Sequence, residues 1–195
     1  MKHFLGIEDE EFIRGKVPMT KKEIRILTLA GAKIKSADIV CDIGAGTGSL
    51  SVEAALLARD GHVYAVERKR EAVELIRQNA AKFGAENITI IESEAPQGLE
   101  QLPQSLDAAM IGGTGSHLEE ILDVLDERLK PGGTIVINCI TVQTLANSLA
   151  YMRKKSGYIY DTVQVQVNRL KKVGPYDMAE AINPVYIISC HKANV

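Results

Sequence analysis

The chain has 195 residues, enough for one domain with a core of useful size that needs neither disulfides nor metals. Hydrophobic residues make up 46 % and charged residues 25 %, an ordinary globular balance with no apolar run long enough for a transmembrane helix. A net charge of −2 lacks the basic excess of a nucleic-acid binder, and the acidic opening MKHFLGIEDEEF lacks the apolar core of an export signal. A cytoplasmic protein with no membrane or nucleic-acid partner is expected. Cys41, Cys139 and Cys190 lie far apart in apolar stretches, which suits buried, reduced thiols and no metal site.

In chain order, Thr20-Lys21-Lys22-Glu23 has the spacing of a capping box and predicts a helix running to about Ala32. Strand-like runs follow at Asp38 to Ile43, His62 to Glu67, Asn87 to Glu92, Leu106 to Gly112 and Thr134 to Ile140. Helical periods lie between them, at Ser49 to Arg59, Glu71 to Phe83 and Leu118 to Leu129, and a further helix runs to Lys155. Lys130-Pro131-Gly132-Gly133 reads as a stop and turn. Two final β-like runs, Tyr158 to Leu170 and Val185 to Cys190, have no helix between them. They predict an antiparallel edge joined by a long loop from Lys171 to Asn183. The whole reads as a single α/β domain: a doubly wound, Rossmann-like, seven-stranded sheet, mostly parallel with an antiparallel final strand. Residues 1–36 are expected to form a helical segment over the cofactor site.

The sharpest local feature is Asp42-Ile43-Gly44-Ala45-Gly46-Thr47-Gly48, which follows a strand and opens a helix. Glycines there allow a tight turn and close approach of a ligand to the main chain. A dinucleotide site wants its third glycine one residue later, where Ser49 stands. Asp42, two residues before the first glycine, would repel a pyrophosphate but suits the ammonium and sulfonium of S-adenosylmethionine (SAM). Glu67 ends the second strand, 25 residues after Asp42, and fits a ribose diol, a role that NAD and SAM sites share. After the third strand, Glu94 or the backbone near Ala95 is a candidate for the adenine amino group; an ordinary polar turn is the alternative.

With these residues in view, the sequence resembles the decarboxylating cobalt-precorrin C-15 methyltransferases of cobalamin biosynthesis, which have the class I methyltransferase fold. Gly6 to Phe12, Val17-Pro18-Met19-Thr20-Lys21-Lys22-Glu23-Ile24-Arg25, the Gly44 to Gly48 loop, Glu94-Ala95-Pro96 and Gly112-Gly113 carry the resemblance. It covers nearly the whole chain, and the Pro-Met-Thr-Lys segment is its most specific part. The resemblance implies that Thr20, Gly44 to Gly48, Glu67 and Ala95 line a SAM site. Ser93-Glu94 replaces the family's more usual Gly-Asp, which separates Glu94 from a firm role. Thr20 has two readings, helix cap and cofactor contact.

The implied reaction transfers a methyl group to C-15 of a precorrin and removes CO2 from the C-12 acetate, with no protein nucleophile or base assigned. The substrate's carboxylates call for cations. Lys16, Lys22, Arg25, Arg169, Lys171 and Lys172 are candidates, beside Gly112 and Gly113, whose missing side chains suit a bulky ring. His117 reads as a helix-start residue. The resemblance further implies a homo-oligomer, a tetramer, and a separate protein for the C-5 step. Competing readings are a SAM methyltransferase acting on RNA, protein or another small molecule, a Rossmann oxidoreductase, and a SAM-binding sensor without turnover.

Overall fold

The computed structural model describes residues 5–194; Met1 to Phe4 of the acidic opening, and Val195, lie outside the described residues. A seven-stranded sheet is built from β1 (Ile39–Ile43), β2 (His62–Glu67), β3 (Ile88–Glu92), β4 (Leu106–Ile111), β5 (Leu129–Cys139), β6 (Tyr158–Val165) and β9 (Val185–Lys192). Their order is β3-β2-β1-β4-β5-β9-β6. The first five are parallel, and β9 is antiparallel to both β5 and β6. This is the predicted class I methyltransferase architecture.

Helices α1 (Lys22–Ala32), α2 (Ser49–Leu57) and α3 (Arg70–Phe83) cover one face, and α4 (Leu118–Arg128) and α5 (Val142–Lys154) the other. Strand side chains alternate between these layers: Ile135, Ile137 and Cys139 pack with α4 and α5, whereas Val136 packs with α1 and α2. Burial on both faces explains why the strands read as continuous apolar runs. In α3, Ala72, Ile76 and Phe83 share the buried stripe, and the helix ends where Gly84 turns left-handed and donates to the carbonyls of Ala80 and Ala81.

Three expectations need correction. The Thr20 to Glu23 capping box does not form, because Lys21 is the cap residue of α1 and offers no side-chain bond. Asp9 caps the helix instead, its Oδ1 accepting from the Lys22 backbone N–H at 3.0 Å. The expected loop from Lys171 to Asn183 is largely a second, two-stranded sheet, β7 (Asn168–Val173) paired with β8 (Tyr176–Ala181). Its alternating side chains stay exposed, so a core-burial pattern gave no strand signal. Lys130 to Gly133 is not a turn ahead of the fifth strand, which already begins at Leu129. It bulges within β5, where the register with β4 jumps between Leu106 and Ala108. Among the described residues, no helix is long and apolar enough to cross a membrane.

Candidate active site

The site begins with a turn that only glycine can make. After β1, Gly44, Gly46 and Gly48 all have positive φ, at +72°, +58° and +77°. A Cβ on Gly44 would stand 2.8 Å from the backbone N and O of Gly113, and one on Gly46 would stand 3.0 Å from the Pro18 carbonyl. The bend is thus squeezed between the loop after β4 and the N-terminal segment. Gly48 serves another purpose: a Cβ there would stand 3.0 Å from the Ile76 side chain and 3.1 Å from its Cα, so the glycine lets α2 pack on α3. It does not line the cleft. Neither does Thr47, whose carbonyl accepts from Asn79 at 2.9 Å while its buried hydroxyl has no partner among the described residues.

Glu67 is held from below. Its Oε2 accepts from the Gly46 N–H and its Oε1 from the Lys69 N–H, both at 2.9 Å. A carboxylate has about four acceptor positions, so two stay free for ligand hydroxyls. Asp42 lies under the bend, fully buried, with one oxygen accepting from Ser51 at 2.5 Å and the other unpartnered among the described residues. Burial pushes its carboxyl up to about 6; the Ser51 hydrogen bond opposes this and the neighbouring Glu67 charge adds to it. Asp42 lies outside the cleft lining, so it could influence a ligand there only through its field.

These parts open on a cleft of about 460 Å³, within the usual range for small-molecule sites. Thr20, Gly44, Ala45, Gly46, Glu67, Glu94, Ala95, Gly112 and Gly113 line it, together with Val17, Pro18, Met19 and Asn138. Glu94 is partly committed, because Arg68 donates to its Oε1 at 2.5 Å and its carbonyl accepts from the Gly98 N–H. Ala95 lines the cleft beside it.

The N-terminal segment is fixed over the bend by a buried ion cluster. Arg25 is fully buried. It donates to Glu53 at 2.7 Å, to Asp9 at 2.8 Å and to the carbonyls of Thr20 and Ile7. Asn79 adds two bonds to Ile13. Asp9, whose burial favours the neutral acid, is nonetheless held below its usual range by the Arg25 hydrogen bond and charge. This cluster was missed in the sequence, although Glu53 inside the apolar run of α2 was a signal: an acid among buried neighbours needs a cation.

The cluster removes Arg25 from the substrate-binding candidates, since its guanidinium is spent and does not reach the cleft. Arg169 is likewise drawn to Glu23 at 2.9 Å and Asp9 at 3.3 Å. Lys22 pairs with Glu8, Lys171 approaches Glu180, and Lys16 and Lys172 lie outside the cleft lining. His117 caps α4 beside Glu120, away from the cleft. The three cysteines are buried and free, and burial pushes their thiols up, so they stay protonated and inert.

The fit to SAM rests on the carboxylates. A bare bend with one acid oriented at its edge and another buried beneath it suits a positively charged ligand carrying a ribose. It disfavours a pyrophosphate.

Comparison with known proteins agrees with this geometry. The sequence model described as the precorrin methyltransferase domain matches residues 11–192. A relative from Sulfolobus acidocaldarius, named a probable cobalt-precorrin-6B C(15)-methyltransferase (decarboxylating), is 44 % identical over 185 residues, covering 94 % of this chain and 95 % of its own. The crystal structure of precorrin-6y C5,15-methyltransferase from Geobacter metallireducens superposes with a TM-score of 0.90 at 41 % identity, over 96 % of this chain and 97 % of that one. That of precorrin 8w decarboxylase from Methanobacterium thermoautotrophicum gives 0.88 at 33 % identity, over 94 % and 98 %. The chain belongs to the precorrin methyltransferase family.

Proposed function

We propose that this protein is a SAM-dependent C-methyltransferase that methylates C-15 of a (cobalt-)precorrin and removes CO2 from its C-12 acetate, in cobalamin biosynthesis. One observation carries the reading: a single cleft joins a carboxylate-flanked glycine bend to the opening at Gly112 to Gly115, which is bare but for Thr114. The first half fits a cationic nucleoside and the second a broad, flat acceptor.

SAM, when bound, supplies a methyl group on a positively charged sulfur. Glu67 would accept from its ribose hydroxyls, the Gly44 to Gly46 bend would take the methionyl end, and the Ala95 backbone would border the adenine. Asp42 adds a buried negative charge below. Thr20, held by its carbonyl to Arg25, closes the cleft from above. These residues orient donor and acceptor and exclude water, which is what transfer from a good donor to an electron-rich ring carbon requires. No cleft side chain is assigned as base or nucleophile. When the acetate loses CO2, its bonding pair passes into the conjugated macrocycle. Any cobalt belongs to that substrate.

The same reading includes a cytoplasmic homo-oligomer, a tetramer, with a separate protein for the C-5 methylation. The apolar surface of the β7–β8 hairpin, where Leu170 is 77 % and Tyr176 71 % exposed, supports the homo-oligomer. Incubating the full chain with SAM and purified cobalt-precorrin-6B, followed by mass spectrometry, tests the reaction. Gain of one methyl group and loss of one CO2 are expected. An unchanged macrocycle overturns the proposal.

A further inference from the structure

Across the cleft from the glycine bend, near the end of β5, stands Asn138. Ile111 pairs with Ile137, so Asn138 is level with Gly112, the first residue beyond β4. Alternation along β5 puts its side chain on the α1 face, where Thr28 Oγ1 lies 3.1 Å from its Oδ1. The same hydroxyl is 2.7 Å from the Ile24 carbonyl. Thr28 has one proton, shared between these two acceptors, and Asn138 keeps both hydrogens of its amide nitrogen. That Nδ2 is buried and has no partner among the described residues.

A buried amide donor left unpaired is destabilising, and an apolar side chain would avoid the cost in an otherwise apolar strand. The surroundings say what could use it. Ile24, Ile140, Ile182 and Val185 make the adjoining lining apolar, and Gly112 and Gly113 contribute only backbone. Arg25 and Arg169 are bound to acids, as is Arg68 in the cleft lining, while Lys21 and Lys69 also line the cleft as cations, so Asn138 would add a directional hydrogen bond to their charge. Asn138 is thus a fixed, anchored donor on the acceptor side of the cleft.

We infer that Asn138 is a substrate-binding residue, its Nδ2 donating to a carboxylate that the tetrapyrrole retains through the reaction; this rests on the function proposed above. The departing carboxylate belongs elsewhere. A hydrogen bond would hold charge on its oxygens, whereas loss of CO2 requires that charge to flow into the ring, so the apolar stretch at Ile140, Ile182 and Val185 suits it better.

The test uses the full chain with SAM and cobalt-precorrin-6B. In Asn138→Ala, KM for the macrocycle should rise about ten- to hundredfold, the range one hydrogen bond to a charged group supports, with kcat and calorimetric SAM affinity nearly unchanged. Asn138→Asp should be worse, because a carboxylate would face a carboxylate. Thr28→Val, which frees the anchored end, should raise KM by less than Asn138→Ala. An unmoved KM in Asn138→Ala overturns the inference, as does wild-type behaviour in Asn138→Asp, which would make the free end an acceptor. Equal losses of SAM and macrocycle affinity would also overturn it, by assigning Asn138 a role in the whole cleft. If the wild type binds SAM but leaves the precorrin unchanged, the functional reading fails and takes this inference with it. An active wild type with an unmoved variant sinks the inference alone.

Discussion

The two halves of the cleft are built differently. The nucleoside half is made of short connections after β1, β2 and β3, tied by backbone bonds such as Gly44 and Ala45 N–H to the Val66 carbonyl. Its geometry is local and preset. The acceptor half draws on Gly112 to Gly115, Asn138 and Ile182 to Val185, residues remote in sequence, and the N-terminal segment that roofs the cleft over the glycine bend is held in place by a buried ion cluster. A family that keeps one donor can keep the first half rigid. The second must admit a large, many-charged ring, so it is assembled from parts that sit on separate elements.

The largest expected effect comes from breaking the roof. Arg25→Met strands Glu53 as a buried acid without a cation and leaves Asp9 only Arg169 at 3.3 Å, and should cost about 3–5 kcal/mol in denaturant unfolding. Adding Asp9→Asn and Glu53→Gln should recover part of that loss; no recovery would mean that packing of the Arg25 stem matters more than its charge. Next is the floor of the nucleoside half. Gly44→Ala places a Cβ at a positive φ and 2.8 Å from Gly113, which should cost about 1–3 kcal/mol in backbone strain alone and abolish SAM binding in calorimetry. Glu67→Ala should weaken SAM by about 1–3 kcal/mol through lost hydrogen bonds to a charged acceptor.

A smaller effect separates the halves by pH. The carboxyl of Asp42 is raised in the fold to about 6, from an ordinary value near 3.8. Its protonation therefore favours the folded state, fully below pH ~4 and progressively less as pH rises through ~6. A cationic ligand prefers the ionised form, so SAM affinity should rise between pH ~5 and ~7 and the rise should vanish in Asp42→Asn. A flat profile in the wild type would show that Asp42 does not sense the ligand. The smallest effect is expected for Arg169→Ala, a partly exposed ion pair worth under about 1 kcal/mol in unfolding.

What the sequence disclosed follows the same division. The glycine bend and its flanking acids were legible because their signals are contiguous: Asp42, the spaced glycines and Glu67 report a strand, a bend and a second strand end without reference to the rest of the chain. The β1 to β5 alternation was legible for the same reason. The acceptor half was not. Arg25 looked available for a carboxylate because its partners, Asp9 and Glu53, are 16 and 28 residues away. The Thr20 capping box had the right spacing, yet Asp9 reaches the same helix end first. Asn138 is a single polar residue in an apolar strand, a signal that acquires meaning only when Thr28 and Gly112 are seen beside it. The β7–β8 hairpin escaped notice because it faces solvent on the alternation that usually marks a buried side.

The central claim is that one cleft seats a cationic nucleoside between Glu67 and the Gly44 to Gly46 bend. A crystal structure of the full chain with S-adenosylhomocysteine tests it directly. The account predicts ribose hydroxyls on the Glu67 carboxylate and the sulfur turned toward Gly112 and Gly113. Density for the nucleoside anywhere else in the molecule would contradict it.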